Sequence, residues 1–206
     1  MDTVNNRETW KVFGIWALWV GVAFFSVYPT CNWLTAQRSV TYPLYHSAEL
    51  SIPFIPEFFW VYISMYLLFL LPPFLLNTSQ LIRLGKQLVL ATILSGLIFL
   101  LIPSELGFER VSLDDALYGS LFAQLFTIDL PHNLVPSLHV VFSAIIILSI
   151  SAGISNPAAR LIVWAWLALL CLSTLLVHQH HLLDVVSGLL IAAGFNLYFK
   201  KRYAHV

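Results

Sequence analysis

The chain has 206 residues, of which 59% are hydrophobic, 15% aromatic and only 10% charged, and its mean hydropathy is +0.84. That is too much apolar surface for one soluble core, so the composition points to an integral membrane protein and excludes a disordered chain. Ten Lys and Arg balance ten Asp and Glu, and no basic run is long enough to follow a phosphate backbone, which excludes nucleic acid as a partner.

A helix needs about 20 apolar residues to cross the hydrocarbon core. Six segments meet or approach that length, at about 12–30, 58–76, 87–103, 135–153, 161–177 and 182–199. They predict one all-α integral membrane domain of six transmembrane helices over residues 1–206. The first segment is long and no A-x-A site follows it, so it reads as a retained helix and not a cleaved signal. In the loop that follows, Pro53 and Pro56 break regular structure before the second span. The loop between the third and fourth spans contains Ser112-Leu113-Asp114-Asp115, a capping-box pattern, and then Leu117, Leu121 and Leu125 beside Phe122 and Phe126. That spacing predicts a short interfacial helix over about 112–127. Cys31 and Cys171 form neither a disulfide framework nor a metal-ligand spacing. Gly188 and the Ala192-Ala193-Gly194 group suit close helix packing.

With the N-terminus inside, the inner segments hold Arg7, Lys11, Arg83, Lys86, Arg160, Lys200, Lys201 and Arg202. Only Arg38 and Arg110 fall outside, while Asp2 and Glu8 are the inner acids. The balance is +6 inside and −6 outside, so both termini are expected to be cytoplasmic. A bacterial inner membrane with the active site on the periplasmic side fits this pattern, as does an organelle membrane with a lumenal site.

Ionisable residues within apolar segments default to a functional reading. Pro136-Ser137-Leu138-His139 opens the fourth span, and His178-Gln179-His180-His181-Leu182-Leu183-Asp184 joins the fifth and sixth. Both lie near the outer surface in this topology. Pro136 suits the first turn of a helix, whose free N–H groups, with the Ser137 hydroxyl, form an anion site. His180 and Asp184 are four apart and so share a helical face. A carboxylate beside an imidazole fixes its tautomer, which makes His180 a candidate nucleophile with Asp184 as its orienter. His139 remains as a general acid for a leaving group. The histidine triplet could instead hold a metal, but adjacent histidines at a helix start point in different directions.

At these residues the chain resembles the type-2 phosphatidic acid phosphatase superfamily, whose signatures are K-x6-R-P, P-S-G-H and S-R-x5-H-x3-D. The second stands here as Pro136-Ser137-Leu138-His139. The third stands as Ser173-Thr174, five residues, His180, three residues and Asp184. Thr174 in place of Arg, together with P-S-L-H, is most similar to the inositol phosphorylceramide synthase-like branch. The resemblance implies that His180 becomes phosphorylated, that Asp184 supports it, that His139 protonates the leaving group, and that no metal or other cofactor takes part. It also implies substrate contacts from Ser137, Arg110, Ser173 and Thr174. The first signature is reduced to Arg110, with Pro103 at the Lys position and Val111 at the Pro position. Arg38, the start of the fourth span, and protonated His178 or His181 are the candidates to replace the missing cations.

The expected function is therefore a membrane lipid-phosphate phosphatase or phosphotransferase working through a phosphohistidine. Its partners would be a lipid phosphate or lipid headgroup donor and the bilayer. A headgroup transferase of the phosphorylceramide synthase type is the near alternative. A small transporter with a His139/Asp184 proton relay is the rival from another class.

Overall fold

The computed structural model describes residues 6–110 and 112–202. Asp2, counted above among the inner acids, and Val111, which follows Arg110, lie outside the described residues. Among those described the secondary structure is helical: α1 (Asn6–Thr35), η1 (Ser47–Ser51), α2 (Phe58–Ile63), α3 (Met65–Leu68), α4 (Pro72–Leu75), α5 (Thr78–Leu101), α6 (Ala116–Ile128), α7 (Leu138–Ser151), α8 (Pro157–Leu176) and α9 (Leu182–Arg202). Four helices are long and apolar enough to cross a membrane: Arg7–Thr35, Thr78–Leu101, Pro157–Leu176 and Leu182–Arg202.

The other two expected spans take different forms. Residues 58–76 are broken into α2, α3 and α4. At the first break, the Ser64 hydroxyl donates to the Val61 carbonyl at 2.6 Å and accepts from the Trp166 indole of α8 at 2.9 Å. A hydroxyl bonding back into its own helix bends it. The paired prolines Pro72 and Pro73 then cannot continue the backbone ladder. The fourth expected span shortens to the 14 residues of α7, about 21 Å at 1.5 Å per residue. Every α7 residue except Leu148 is buried, as befits a helix apolar on all sides at the centre of a bundle.

Caps move other boundaries. Asn77 accepts from the Gln80 N–H at 3.0 Å while Gln80 accepts from the Asn77 N–H at 2.9 Å. This reciprocal box starts α5 nine residues before the expected 87, so Arg83 and Lys86 belong to the helix and not to a loop. The short helix expected after residue 112 is α6, which starts at Ala116 with Asp115 as its cap, accepting from the Tyr118 N–H at 2.7 Å. Ser112 does not cap it, because Leu113 packs into the cluster around Phe122 and the chain is still turning there. Phe122 is fully buried between Phe54 and Phe59, so one face of α6 is docked on protein.

Close helix approaches fix the directions. A Cβ on Gly85 would lie 2.4 Å from the Trp16 ring, and one on Gly96 would lie 2.3 Å from Val27; α1 and α5 therefore run parallel. Gly188 does the same for α9 and α7, where a Cβ would lie 3.0 Å from the Ser137 carbonyl and 3.1 Å from Val140. Gly194 faces open space and has no such role. The basic residues from Arg7 to Arg202, Arg38 and Arg110 excepted, thus gather at one end of the bundle, and Ser137, His180 and Asp184 at the other. Between the ends, large apolar side chains such as Leu18, Phe25, Leu90, Leu169 and Leu190 are exposed. Cys31 and Cys171 are free thiols.

Candidate active site

The site is built on the end of α8. The N–H of His178 bonds the Leu175 carbonyl at 3.1 Å, and that of Gln179 bonds the Thr174 carbonyl at 3.0 Å. This is a Schellman termination. His178 occupies its left-handed position at φ 54°, where glycine is the usual residue. The His180 N–H also reaches the Thr174 carbonyl, at 3.1 Å, so the helix end sets the backbone of His180 directly.

His180 precedes α9 instead of lying on its face. It meets Asp184 because Asp184, the third residue of α9, folds back over the helix start. One oxygen, Oδ2, accepts from the His181 N–H at 2.7 Å and from His180 Nδ1 at 3.2 Å. A carboxylate in a helix's first turn is favoured there by the helix dipole. With Nδ1 donating, Nε2 of His180 keeps its lone pair. The Asp184 carbonyl accepts from the Ser137 N–H at 3.1 Å, which ties the start of α9 to the start of α7, and Gly188 lets the two helices close below this bond.

His139 and His180 line one cavity of about 750 Å³ between α1, α3, α5 and α7. The His139 ring stacks on Tyr62, with centroids 4.0 Å apart, and its Nε2 is buried without a hydrogen-bond partner among the described residues. The polar end of the cavity also holds Tyr28, Asn32, Asp129 and Asn133, and the apolar remainder runs down α1 to Phe13. Among its described lining residues there is no Lys or Arg. The Tyr28 hydroxyl donates to Asp129. Burial raises the Asp129 carboxyl above its usual range, against the opposing pull of Tyr28, His180 and Arg110. Asp129 is the site residue that the sequence did not disclose. Asn133, in the same lining, accepts from Thr35 at 3.1 Å and donates to the Tyr28 carbonyl at 3.3 Å.

None of the expected substrate-contact residues lines this cavity. Ser137 caps α7, accepting from the Val140 N–H at 3.4 Å, and Pro136 stands before that cap, outside the first helical turn. The Ser173 and Thr174 hydroxyls donate back into α8, to Leu170 and Cys171 at 2.7 and 2.8 Å. Arg110 donates to the carbonyls of Phe126 and Asp129 and lies over the Phe126 ring, closing the end of α6. Arg38 is exposed and reaches the Leu100 carbonyl at 3.5 Å. His178 and His181 are held in an aromatic stack, on either side of Phe108 at 3.9 and 4.4 Å, with Tyr45 on the far face of His181. His181 Nε2 accepts from the Gly107 N–H at 3.2 Å and its Nδ1 faces Glu49 at 3.5 Å. Burial lowers both imidazoles below 6.5, outweighing the Ile52 carbonyl at His178 and the neighbouring carboxylates at His181. Neither ring lines the cavity.

Among the described residues no group of three or more His, Cys, Asp or Glu is placed to hold a metal ion. No family model, no curated protein and no solved structure matches the chain.

Proposed function

We propose that the chain is an integral membrane enzyme that moves a phosphoryl group, free or carrying a headgroup, from a lipid through a phosphohistidine on His180. The observation that carries this reading is that His180, whose Nδ1 lies 3.2 Å from Asp184 Oδ2, lines one cavity with His139. Nε2 of His180 attacks phosphorus, the P–O bond to the departing oxygen breaks, and that oxygen takes the proton of His139. Asp184 stabilises the positive charge that develops on the His180 ring. In the second half, neutral His139 takes a proton from water or an alcohol as its oxygen attacks phosphorus, and the N–P bond breaks. Water makes the enzyme a phosphatase and an alcohol makes it a headgroup transferase. The apolar length of the cavity along α1 suits acyl chains.

In this reading the chain crosses the bilayer six times, the broken α2–α4 segment and the short α7 being shielded by their neighbours. The basic end faces the cytoplasm and the site faces away from it. The test is phosphate release from a panel of lipid phosphates in detergent with EDTA, beside His180→Ala, followed by headgroup donors offered with alcohol acceptors. Turnover by the wild type that the variant abolishes is the expected result. Silence on both panels from folded protein would overturn the proposal.

A further inference from the structure

The polar end of the cavity is unusual for a phosphate site because its free groups accept hydrogen bonds. Asn32 is buried, and its Oδ1 has no partner among the described residues; its amide nitrogen already donates to the Ile128 carbonyl at 3.3 Å. Asp129 brings a carboxylate. Arg110, the nearest guanidinium, donates to the main-chain carbonyl of Asp129 and not to its side chain. Asp129 accepts from the Tyr28 hydroxyl and shares the cavity lining with Tyr62, Tyr66 and His180. A carboxylate in a cavity lined by the Tyr28, Tyr62 and Tyr66 rings suits a cation: the charge attracts it and the ring faces accept it. A bare phosphate would meet repulsion from the same group.

We infer that Asp129, with Tyr28 and Asn32, forms a headgroup subsite that selects a zwitterionic phospholipid whose phosphate is esterified to an ammonium-bearing alcohol. The ammonium group sits against Asp129 while the phosphorus lies towards His180 and His139. One positive charge on the ligand stands in for the protein cations that the cavity lacks. This inference deepens the phosphotransfer reading and rests on it for calling the ligand a substrate.

The test compares two short-chain phosphodiesters, phosphatidylethanolamine and phosphatidylglycerol, which differ in ammonium against hydroxyl. Each is titrated calorimetrically into the full-length protein in uncharged detergent, and turnover is followed in parallel. The wild type is expected to bind the ethanolamine lipid at least tenfold more tightly. Asp129→Asn keeps the size and the Tyr28 contact, and is expected to erase that preference while leaving phosphatidylglycerol within about twofold. Tyr28→Phe keeps the carboxylate and is expected to keep the preference. Equal wild-type affinities, a preference for phosphatidylglycerol, or an equal loss of both ligands in Asp129→Asn would each overturn the inference. A preference intact while both the lipid-phosphate panel and the donor-with-acceptor panel stay silent would remove the phosphotransfer reading and leave the headgroup subsite standing.

Discussion

Replacing Asp184 tests the nucleophile through its support. Oδ2 is the acceptor for both the His181 N–H and His180 Nδ1, so an amide oxygen in its place accepts the same two bonds. Asp184→Asn therefore preserves the fold and the His180 tautomer and removes only the charge. With the carboxylate about 4 Å from an imidazolium and an effective dielectric of about 20, that charge is worth about 4 kcal/mol. At about 1.4 kcal/mol per tenfold in rate, formation of the phosphoenzyme should slow about a thousandfold. Asp184→Ala also frees the ring and strands the buried His181 N–H, which costs stability about 1–3 kcal/mol. Its rate should fall by about a further tenfold, with a lower melting temperature that Asp184→Asn does not share. Rapid-quench trapping of radiolabelled enzyme and thermal unfolding in detergent measure the two effects. A rate for Asp184→Asn within threefold of wild type would refute the reasoning, because no positive charge would then be developing on His180.

Other substitutions separate chemistry from packing. His139→Ala should lower turnover of natural lipid esters about 10²–10⁴-fold and hardly affect a nitrophenyl phosphate, whose leaving group needs no proton; equal losses on both would remove His139 from its acid role. Gly188→Leu should destabilise the protein by about 1–3 kcal/mol through overpacking against Ser137 and Val140, whereas Gly194→Leu should leave the melting temperature within about 1 °C. Stability should be flat above about pH 7 and fall below it. His178 and His181 hold folded-state values below 6.5, so their contribution is complete above the unfolded value and is lost as pH falls towards the folded one. Glu49 adds a second loss below about 4.5: burial opposes its charge, but the Leu182 and His46 N–H groups and His181 outweigh it and lower its value. Unfolding followed against pH, beside His181→Phe, should show the upper loss shrink in the variant; a flat profile down to pH 5 would contradict the burial argument.

Hydropathy made the apolar segments legible, because burial of apolar length is a local property of the chain. Where a cap or a break decides a boundary, the signals are small and tertiary. Asn77-Thr78-Ser79-Gln80 carries the box that starts α5, but the charges of Arg83 and Lys86 mask it. Pro72 and Pro73 mark the end of the broken segment, while the bend at Ser64 depends on Trp166, 102 residues away. The order and spacing of His139, His180 and Asp184 sufficed to bring them to one end of the bundle. Asp129 was invisible, since its contact with Tyr28 spans 101 residues and an acid ten positions before His139 matches no motif. Conversely, Arg110, Ser173 and Thr174 stand at motif positions while their polar groups bond to backbone carbonyls.

The surplus of acids at the site end shows why a charge count misjudges a site. Counted by sign, those carboxylates should repel any phosphate approaching His180. Three of them are engaged with backbone donors: Glu49 accepts from the N–H groups of His46 and Leu182, both at 2.8 Å, Asp115 from Tyr118, and Asp184 from His181. Each starts or braces a helix, and its charge is balanced locally by the positive end of that helix. Asp129 differs in lining the cavity itself, where its partner is the Tyr28 hydroxyl. A single carboxylate, placed where a headgroup would reach, therefore sets the local field. Net charge at the site end then says little about phosphate binding, and under the proposed function the group facing Asp129 is what would select the lipid.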